Sequence, residues 1–535
     1  MTNSISCVEQ ADAFFVIGSN PTENHPLIGA RILRQVTAGG AKLVVADPRR
    51  IHLASFADVY LQHRCGTDVA LLNGIMNVIL EEGLEDREFI AERTEDFEAF
   101  REVIAGYTPD RAEEITGVPR DDIIRAARIY ASSQNAMIFY AMGITQHTTG
   151  VDNVHSCANL AMLTGNMGRP GTGVNPLRGQ NNVQGACDLG GLPNVYSGYQ
   201  KVTDPAIREK FEKAWGVSLP GEVGLSVTEI IHGAGSGKIR GLYIMGENPV
   251  LSDPDAHRVR ECLEKCEFLV VQDIFMTDTA EYADVILPGV SFAEKDGTFT
   301  NTERRIQRIR KAGDGPGESR QDWEIITLLA GRMGYEMKYD SPSAIMDEMA
   351  RMTPIYGGVS FKRLDESCGL QWPCPDDGHP GTPVLHAGTF SRGKGKFFPV
   401  PYKAPDEEPD DEYPFTLTTG RIYFHFHTGT MTRRTVALDR EAPECYVEMN
   451  PEDAEALGAS DRDMVSVTTR RGSIRVRVFL TPGIRKGTIF VPFHFREAAA
   501  NVLTNPVLDP TAKIPEYKVC AARVELERKE EDEEG

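Results

Sequence analysis

The densest group of polar side chains lies between Gly173 and Gly191, where Asn175, Gln180, Asn181, Asn182 and Gln184 surround a single cation, Arg178. Buried in hydrocarbon, so many amide donors and acceptors would go unpaired, so the segment reads as the lining of a site for a polar ligand. A lone guanidinium there suits a small carboxylate, because its rigid fork binds both oxygens in parallel and stays charged at any working pH. The competing reading is an arginine that ties down its own loop through carbonyl oxygens.

A second source of chemistry is an internal repeat. Val16-Ile-Gly-Ser-Asn-Pro-Thr-Glu-Asn-His-Pro26 is echoed by Ile244-Met-Gly-Glu-Asn-Pro-Val-Leu-Ser-Asp-Pro254, and Leu43-Val-Val-Ala-Asp47 by Leu269-Val-Val-Gln-Asp273. Asp47 follows Gly18 by 29 residues and Asp273 follows Gly246 by 27. Each half thus offers a strand ending in Gly-x-Asn-Pro and a neighbour ending in Asp. At the carboxyl ends of parallel strands, glycine lets backbone approach a phosphate, and an aspartate can accept two donors from one edge of guanine. Two such units imply two nucleotide sites; the alternative is a duplicated turn whose Gly and Pro serve backbone geometry alone.

The elements that must position these residues follow from pattern. Apolar runs at Ala13–Gly18, Lys42–Asp47 and Ala136–Gly143 read as buried parallel strands. Asp68–Gly83 and Asp121–Ser132 have the 3.6-residue periodicity of crossover helices. From Phe415 onward the texture becomes alternating, as in Met464-Val-Ser-Val-Thr468 and Ile474-Arg-Val-Arg-Val-Phe479 around a turn at Arg470–Ser473, so a separate β-rich domain is expected. The fold class is α/β, with two pseudo-repeated parallel nucleotide-binding domains at 1–175 and 176–403 and a C-terminal β-rich domain at 413–528. The acidic, proline-containing 404–412 reads as a linker and 529–535 as a solvated tail.

Composition bounds the function. In 535 residues, 57 Lys and Arg face 78 Asp and Glu, a net charge of −21, so nucleic acid is not an expected partner. With 41% apolar residues and no run near the roughly 18 that a membrane helix needs, direct membrane insertion is not expected either. The ten cysteines include no CxxC pair, and neither Cys262/Cys266 nor Cys368/Cys374 makes a zinc or iron–sulfur site, so reduced structural thiols in the cytoplasm are expected.

Several long motifs carry a resemblance: Gly143-Ile-Thr-Gln-His147, Asn159-Leu-Ala-Met-Leu-Thr-Gly-Asn166, Pro176-Leu-Arg-Gly-Gln-Asn-Asn-Val-Gln-Gly-Ala-Cys-Asp188, Gln272-Asp-Ile-Phe-Met276, Ala283-Asp-Val-Ile-Leu-Pro288, His427-Thr-Gly-Thr-Met-Thr-Arg-Arg434 and Pro515-Glu-Tyr-Lys518. Through them nearly the whole chain resembles the catalytic alpha subunits of formate dehydrogenases in the molybdopterin oxidoreductase (DMSO reductase) family. The resemblance implies a bis(molybdopterin guanine dinucleotide) cofactor carrying Mo or W, and that the C-terminal β-rich domain at 413–528 is a double-psi-like β-barrel closing over it. By family pattern, Gly18, Asn20, Glu23, Asn24, Asp47, Arg49, Gly66 and Asp68 would hold one dinucleotide, and Gly246, Glu247, Asn248, Gln272 and Asp273 the other. Met142, Gly143, Gln146, Gly179 and Gln180 would lie near the pterins, and Arg421, His425, His427, Thr428, Asn501, Tyr517 and Lys518 would close the site. Two histidines in His425-Phe-His427 beside Arg421 favour contact with an anionic cofactor over a purely structural role.

The resemblance further implies that Arg178 is catalytic: it would orient formate as CO2 forms, with two electrons leaving through a [4Fe–4S] cluster to an iron–sulfur or acceptor-reducing beta subunit. The family pattern starts earlier, with a four-cysteine cluster site and a Cys or selenocysteine followed by His that ligates the metal; neither is in this sequence. Truncation at an in-frame UGA codon is therefore expected, or a split enzyme, with this chain inactive alone. The other readings are a different family member such as a nitrate reductase, and a non-catalytic electron-transfer subunit of the same fold.

Overall fold

A computed structural model describes residues 1–527; the tail expected at 529–535 lies outside them. The chain divides into two compact units, one made of residues 1–179 with 384–535 and the other of residues 180–383. In the first unit, β1 (Ala13–Ile17), β2 (Lys42–Ala46), β3 (Val59–Leu61), β4 (Ala136–Tyr140) and β5 (Gly173–Pro176) form a parallel sheet in the order β3-β2-β1-β4-β5. Every residue of β1 and β4 is buried, which is why both read as unbroken apolar runs. Alternate side chains serve two layers: Phe15 and Ile17 pack with helices α2 (Asp68–Glu81), α3 (Arg120–Ser132) and α5 (Gly150–Leu163), while Phe14 and Val16 pack with α1 (Pro26–Thr37). Between β4 and α5, the short α4 (Met142–Thr145) turns the chain. Residues beyond 383 return to this core, where the Phe397 ring stacks on Phe100 at 4.7 Å between centroids.

In the second unit, α6 (Val183–Asp188) precedes three parallel strands, β6 (Gly241–Met245), β7 (Phe268–Asp273) and β8 (Val285–Pro288), ordered β8-β7-β6. Helices α7 (Val227–Gly235) and α8 (Ala256–Glu264) cover one face through Ile231, Val259, Leu263, Leu269 and Val271. Tyr243 and Met245 of β6 alternate to the other side and are 39% and 48% exposed, so the second copy of the repeat sits in a smaller, less covered sheet than the first. Asp188, fully buried in α6, accepts hydrogen bonds from Tyr199 (2.7 Å), Tyr356 (2.8 Å) and Gln184 (2.8 Å).

The chain then completes the first unit with β9 (Phe415–Gly420), β10 (Tyr446–Met449), β11 (Met464–Thr468), β12 (Ser473–Leu480), β13 (Thr488–Pro492) and β14 (Cys520–Leu526), a closed barrel ordered β9-β13-β10-β12-β11-β14. Its inward residues include Leu417, Val447, Val465, Val467, Val478 and Ile489, all fully buried, so closure leaves no edge strand. The acidic stretch before it is fastened to the barrel, with the Glu407 carboxylate 2.8 Å from Arg471. Among the described residues, no helix is long and apolar enough to cross a membrane.

Candidate functional site

The strand order reverses between β1 and β4, and a parallel sheet opens a crevice at such a point beyond the carboxyl ends of its strands. Gly18 follows β1 and Ala141–Gly143 follow β4, so the two segments face each other there, with the Gly143 N–H donating to the Gly18 carbonyl at 3.0 Å. Gly18 has φ +53°, and a Cβ on it would stand 2.8 Å from Gly143 and Ile144 backbone atoms; one on Gly143 would stand 2.5 Å from the Gly18 oxygen. Only glycines allow this approach. A cleft with about 900 Å³ of atom-free space, partly open to solvent, begins at this point. It runs past Asp47, Arg49 and Gly66 to the barrel residues Thr418–Arg421, Phe490, Phe493 and Lys518.

Arg49 is fixed by Glu448, which accepts from its Nε at 2.9 Å and from a terminal nitrogen at 2.6 Å, while Phe490 lies 3.5 Å beneath the guanidinium. Burial works against its charge, but Glu448 outweighs that and raises its pKa. The Asp47 carboxylate accepts from the Arg49 N–H at 2.9 Å, and burial pushes its pKa up to about 6. At the barrel side, Arg421 is 7% exposed, donates to the Gly179 carbonyl at 2.7 Å, and is pulled down to about 10 by burial. Lys518 donates to the Thr419 carbonyl at 2.7 Å, and burial together with Arg421 lowers it to about 8.

A wall of paired charges lies behind. Asp68 meets His63 at 3.0 Å and His147 at 3.9 Å, and His147 reaches Glu516 at 3.0 Å through Nδ1 and the Gly143 carbonyl at 2.9 Å through Nε2. The Gly143 carbonyl can only accept, so Nε2 carries a proton; Glu516 stands at ion-pair distance from Nδ1 with no hydrogen bond formed at its Oε1, so the balance of burial against the nearby carboxylates sets the charge on the ring. Burial alone would discharge it; Glu516 and Asp68 outweigh burial and raise its pKa to about 8.

Several buried polar atoms of the lining have no hydrogen-bond partner: Ser19 Oγ, Asn20 Nδ2, His25 Nδ1, and Arg421 Nε with one of its terminal nitrogens. Orphans of this kind, with two buried cations, are costly unless a ligand satisfies them. Donors predominate, so the residues fit a polyanionic ligand with several hydrogen-bonding groups, as a molybdopterin dinucleotide is.

Of the residues expected from sequence, Gly18, Asn20, Asn24, Asp47, Arg49, Gly66, Asp68, Met142, Gly143, Gly179, Arg421 and Lys518 line this cleft. Glu23 is close enough to Arg49 and Asn20 to feel both, though burial raises its pKa. Arg178 is half-buried next to it, its carbonyl accepting from His25 Nε2 at 2.7 Å. Gln146, His425, His427, Thr428, Asn501 and Tyr517 belong to the same unit without lining the cleft. His425 is turned to the Ala442 carbonyl (2.7 Å) and Thr432 (3.2 Å), Thr428 meets Thr430 at 3.1 Å, Asn501 accepts from Thr504 at 3.1 Å, and the Tyr517 carbonyl accepts from Thr419 at 2.8 Å.

Gln180 and the second set lie in the other unit. There Gly246 is again left-handed (φ +62°), Glu247 accepts from Ser252 at 2.6 Å, and Asn248 holds Thr279. Gln272 donates to Asp322 at 2.7 Å, and Asp273 accepts from the Ile274 N–H at 2.6 Å. One expectation needs correcting: Asn175, Asn182 and Gln184 do not all serve a ligand. They bond to Asn3, to the Thr300 N–H and to Asp188, because a loop this rich in glycine needs its own side chains to fix it. Sequence reasoning missed Ser19, His25, His63, His147, Glu448 and Phe490, whose relevance depends on neighbours far along the chain.

The chain is similar to known proteins over nearly its whole length. The family profile described as Molybdopterin oxidoreductase matches residues 1–332, and that described as Molydopterin dinucleotide binding domain matches 415–521. The chain is 53% identical over 529 residues to F420-dependent formate dehydrogenase 1 subunit alpha of Methanococcus maripaludis, covering 98% of this chain and 78% of that protein. It is 44% identical over 531 residues to formate dehydrogenase H of Escherichia coli, covering 98% and 74%. Among solved structures, acetylene hydratase from Pelobacter acetylenicus has the same fold, with a TM-score of 0.78 at 20% identity over 98% of this chain and 80% of that one. With its sheet-end cleft, its orphaned donors and its closing barrel, the chain belongs to the molybdopterin oxidoreductase family and carries that family's dinucleotide-binding domain.

Proposed function

We propose that this chain is the catalytic subunit of a formate dehydrogenase with Mo or W on two molybdopterin guanine dinucleotides. The observation that carries the reading is the 53% identity, over 98% of the chain, to a protein named as a formate dehydrogenase alpha subunit. The cleft of the first unit would hold one dinucleotide, with Arg49 and Asp47 toward the base and Arg421 and Lys518 toward anionic groups. Gly246, Glu247, Asn248, Gln272 and Asp273 would contact the other, and Met142, Gln146, Gly179 and Gln180 the pterins. His425, His427, Thr428, Asn501 and Tyr517 support the barrel's side.

When bound, the cofactor supplies the two-electron oxidising power. The chain's own part is to capture and orient the substrate: the Arg178 fork would donate a hydrogen bond to each formate oxygen and leave the C–H bond as the free end. Formate carries one negative charge and CO2 none, so the guanidinium that holds the substrate loses its hold as two electrons and a proton depart. The electrons would pass to a [4Fe–4S] cluster and an acceptor-reducing beta subunit; the relatives' designation as alpha subunits supports such partners.

The test is formate-dependent dye reduction by the native complex, with metal content measured in parallel. Arg178→Ala is expected to lower kcat/KM by roughly 100-fold with metal content unchanged. Undiminished formate turnover in that variant sinks the proposed role, and nitrate-dependent oxidation of the dye in place of formate-dependent reduction points to another member of the family.

A further inference from the structure

Arg421 stands at the start of a loop whose shape is not self-explanatory. After β9 the chain makes an excursion through Ile422 and His427, and His427 adopts φ +52°, a left-handed conformation uncommon outside glycine. The loop holds part of itself, with the Phe426 N–H donating to Thr432 Oγ1 at 3.1 Å, and further support comes from one residue of another strand's end. His494, two residues beyond β13 and fully buried, touches both ends of the excursion: its Nε2 lies 2.9 Å from the Ile422 N–H, and its Nδ1 contacts the His427 carbonyl.

These two partners dictate the state of the ring. A backbone N–H can only donate, so Nε2 carries no proton; a carbonyl can only accept, so Nδ1 must carry one. His494 is a neutral imidazole in a single tautomer, a choice reinforced by burial and by the neighbouring His425, Arg421 and His427, which push its pKa down to about 3. Packing holds it too, with Phe495 edge-on at 6.2 Å and Phe493 stacked at 5.0 Å. The Ile422 N–H directly follows Arg421, so fixing it fixes the backbone from which the Arg421 side chain leaves. That side chain spends one terminal nitrogen on the Gly179 carbonyl and keeps its other donors on the cleft.

We propose that His494 is a positioning residue for the cofactor: by bridging Ile422 and His427 it holds Arg421 in the orientation that meets the anionic dinucleotide. The inference rests on the reading that Arg421 contacts the cofactor, and goes beyond it in making the contact depend on a residue that does not line the cleft.

The experiment measures metal and pterin per chain in the native complex after gel filtration, for His494→Phe, His494→Gln, Arg421→Ala and the double variant Arg421→Ala with His494→Phe. Phe keeps the ring's bulk but neither hydrogen bond, whereas Gln offers an acceptor and a donor on one side chain. Arg421→Ala and His494→Phe are each expected to lower retained cofactor about tenfold, with His494→Gln within about twofold of the wild type. Because His494 acts through Arg421, the double variant is expected to lose no more than Arg421→Ala alone. A general packing role for His494 would make the losses multiply, which overturns the proposal, as does a folded His494→Gln protein that behaves like His494→Phe. Wild-type retention by His494→Phe beside a deficient Arg421→Ala also overturns it while sparing the Arg421 contact. Wild-type retention by Arg421→Ala removes the reading beneath it.

Discussion

His147 shows how much a single side chain's partners decide. With Glu516 3.0 Å from Nδ1 and Asp68 3.9 Å from Nε2, the two buried carboxylates favour the charged form of the ring against burial. Its folded pKa of about 8 lies above the ordinary 6.5, so the stabilisation is fully present below pH 6.5 and is lost as pH rises through 8. His147→Gln is therefore expected to cost about 2 kcal/mol at pH 6 and little at pH 9, in urea unfolding at the two values. A cost that is the same at both would show the ring to be neutral. None of this was legible in the sequence, where His147 was one letter of a family motif and Glu516 lay 368 positions from Thr148, whose N–H it also accepts.

At the scale of elements, β1, β2, β4, α2 and α3 were legible because each carries its own period: unbroken apolar runs for strands covered on both faces, a repeating apolar face for the helices. The repeat was legible too, but its two copies are not equivalent. Gly18 and Gly246 are both left-handed, yet a Cβ on Gly18 meets the backbone of the loop after β4, whereas on Gly246 it meets nothing within 4 Å. Gly246→Ala is expected to cost only the conformational penalty of about 1–2 kcal/mol, and Gly18→Ala a further 1–3 kcal/mol or so from overpacking. Thermal unfolding of the two variants tests this ordering; equal costs would mean that the close approach of β1 and β4 is not maintained in solution.

At the scale of the molecule, the first unit is discontinuous in sequence, and its two parts share Asn3. The Asn3 N–H donates to the Asn175 side chain, and Asn3 bridges to Val384, so the chain leaves and re-enters this unit at one place. A variant in which about ten Gly and Ser residues replace 180–383 is expected to retain the barrel and the five-stranded sheet and to unfold in one cooperative step by circular dichroism. Broad, non-cooperative melting would show the second unit to be required. The sequence by itself determined the class of fold, the repeat and the family, since these reside in local periodicity and in motifs of contiguous residues. Only the tertiary structure decided which polar groups share a cleft. Arg49 is 399 residues from Glu448, and Gly179 is 242 from Arg421, and no local pattern reports on pairings across such distances. They exist because a switch in strand order opens a crevice and a barrel closes against it, bringing charges together that burial would otherwise forbid.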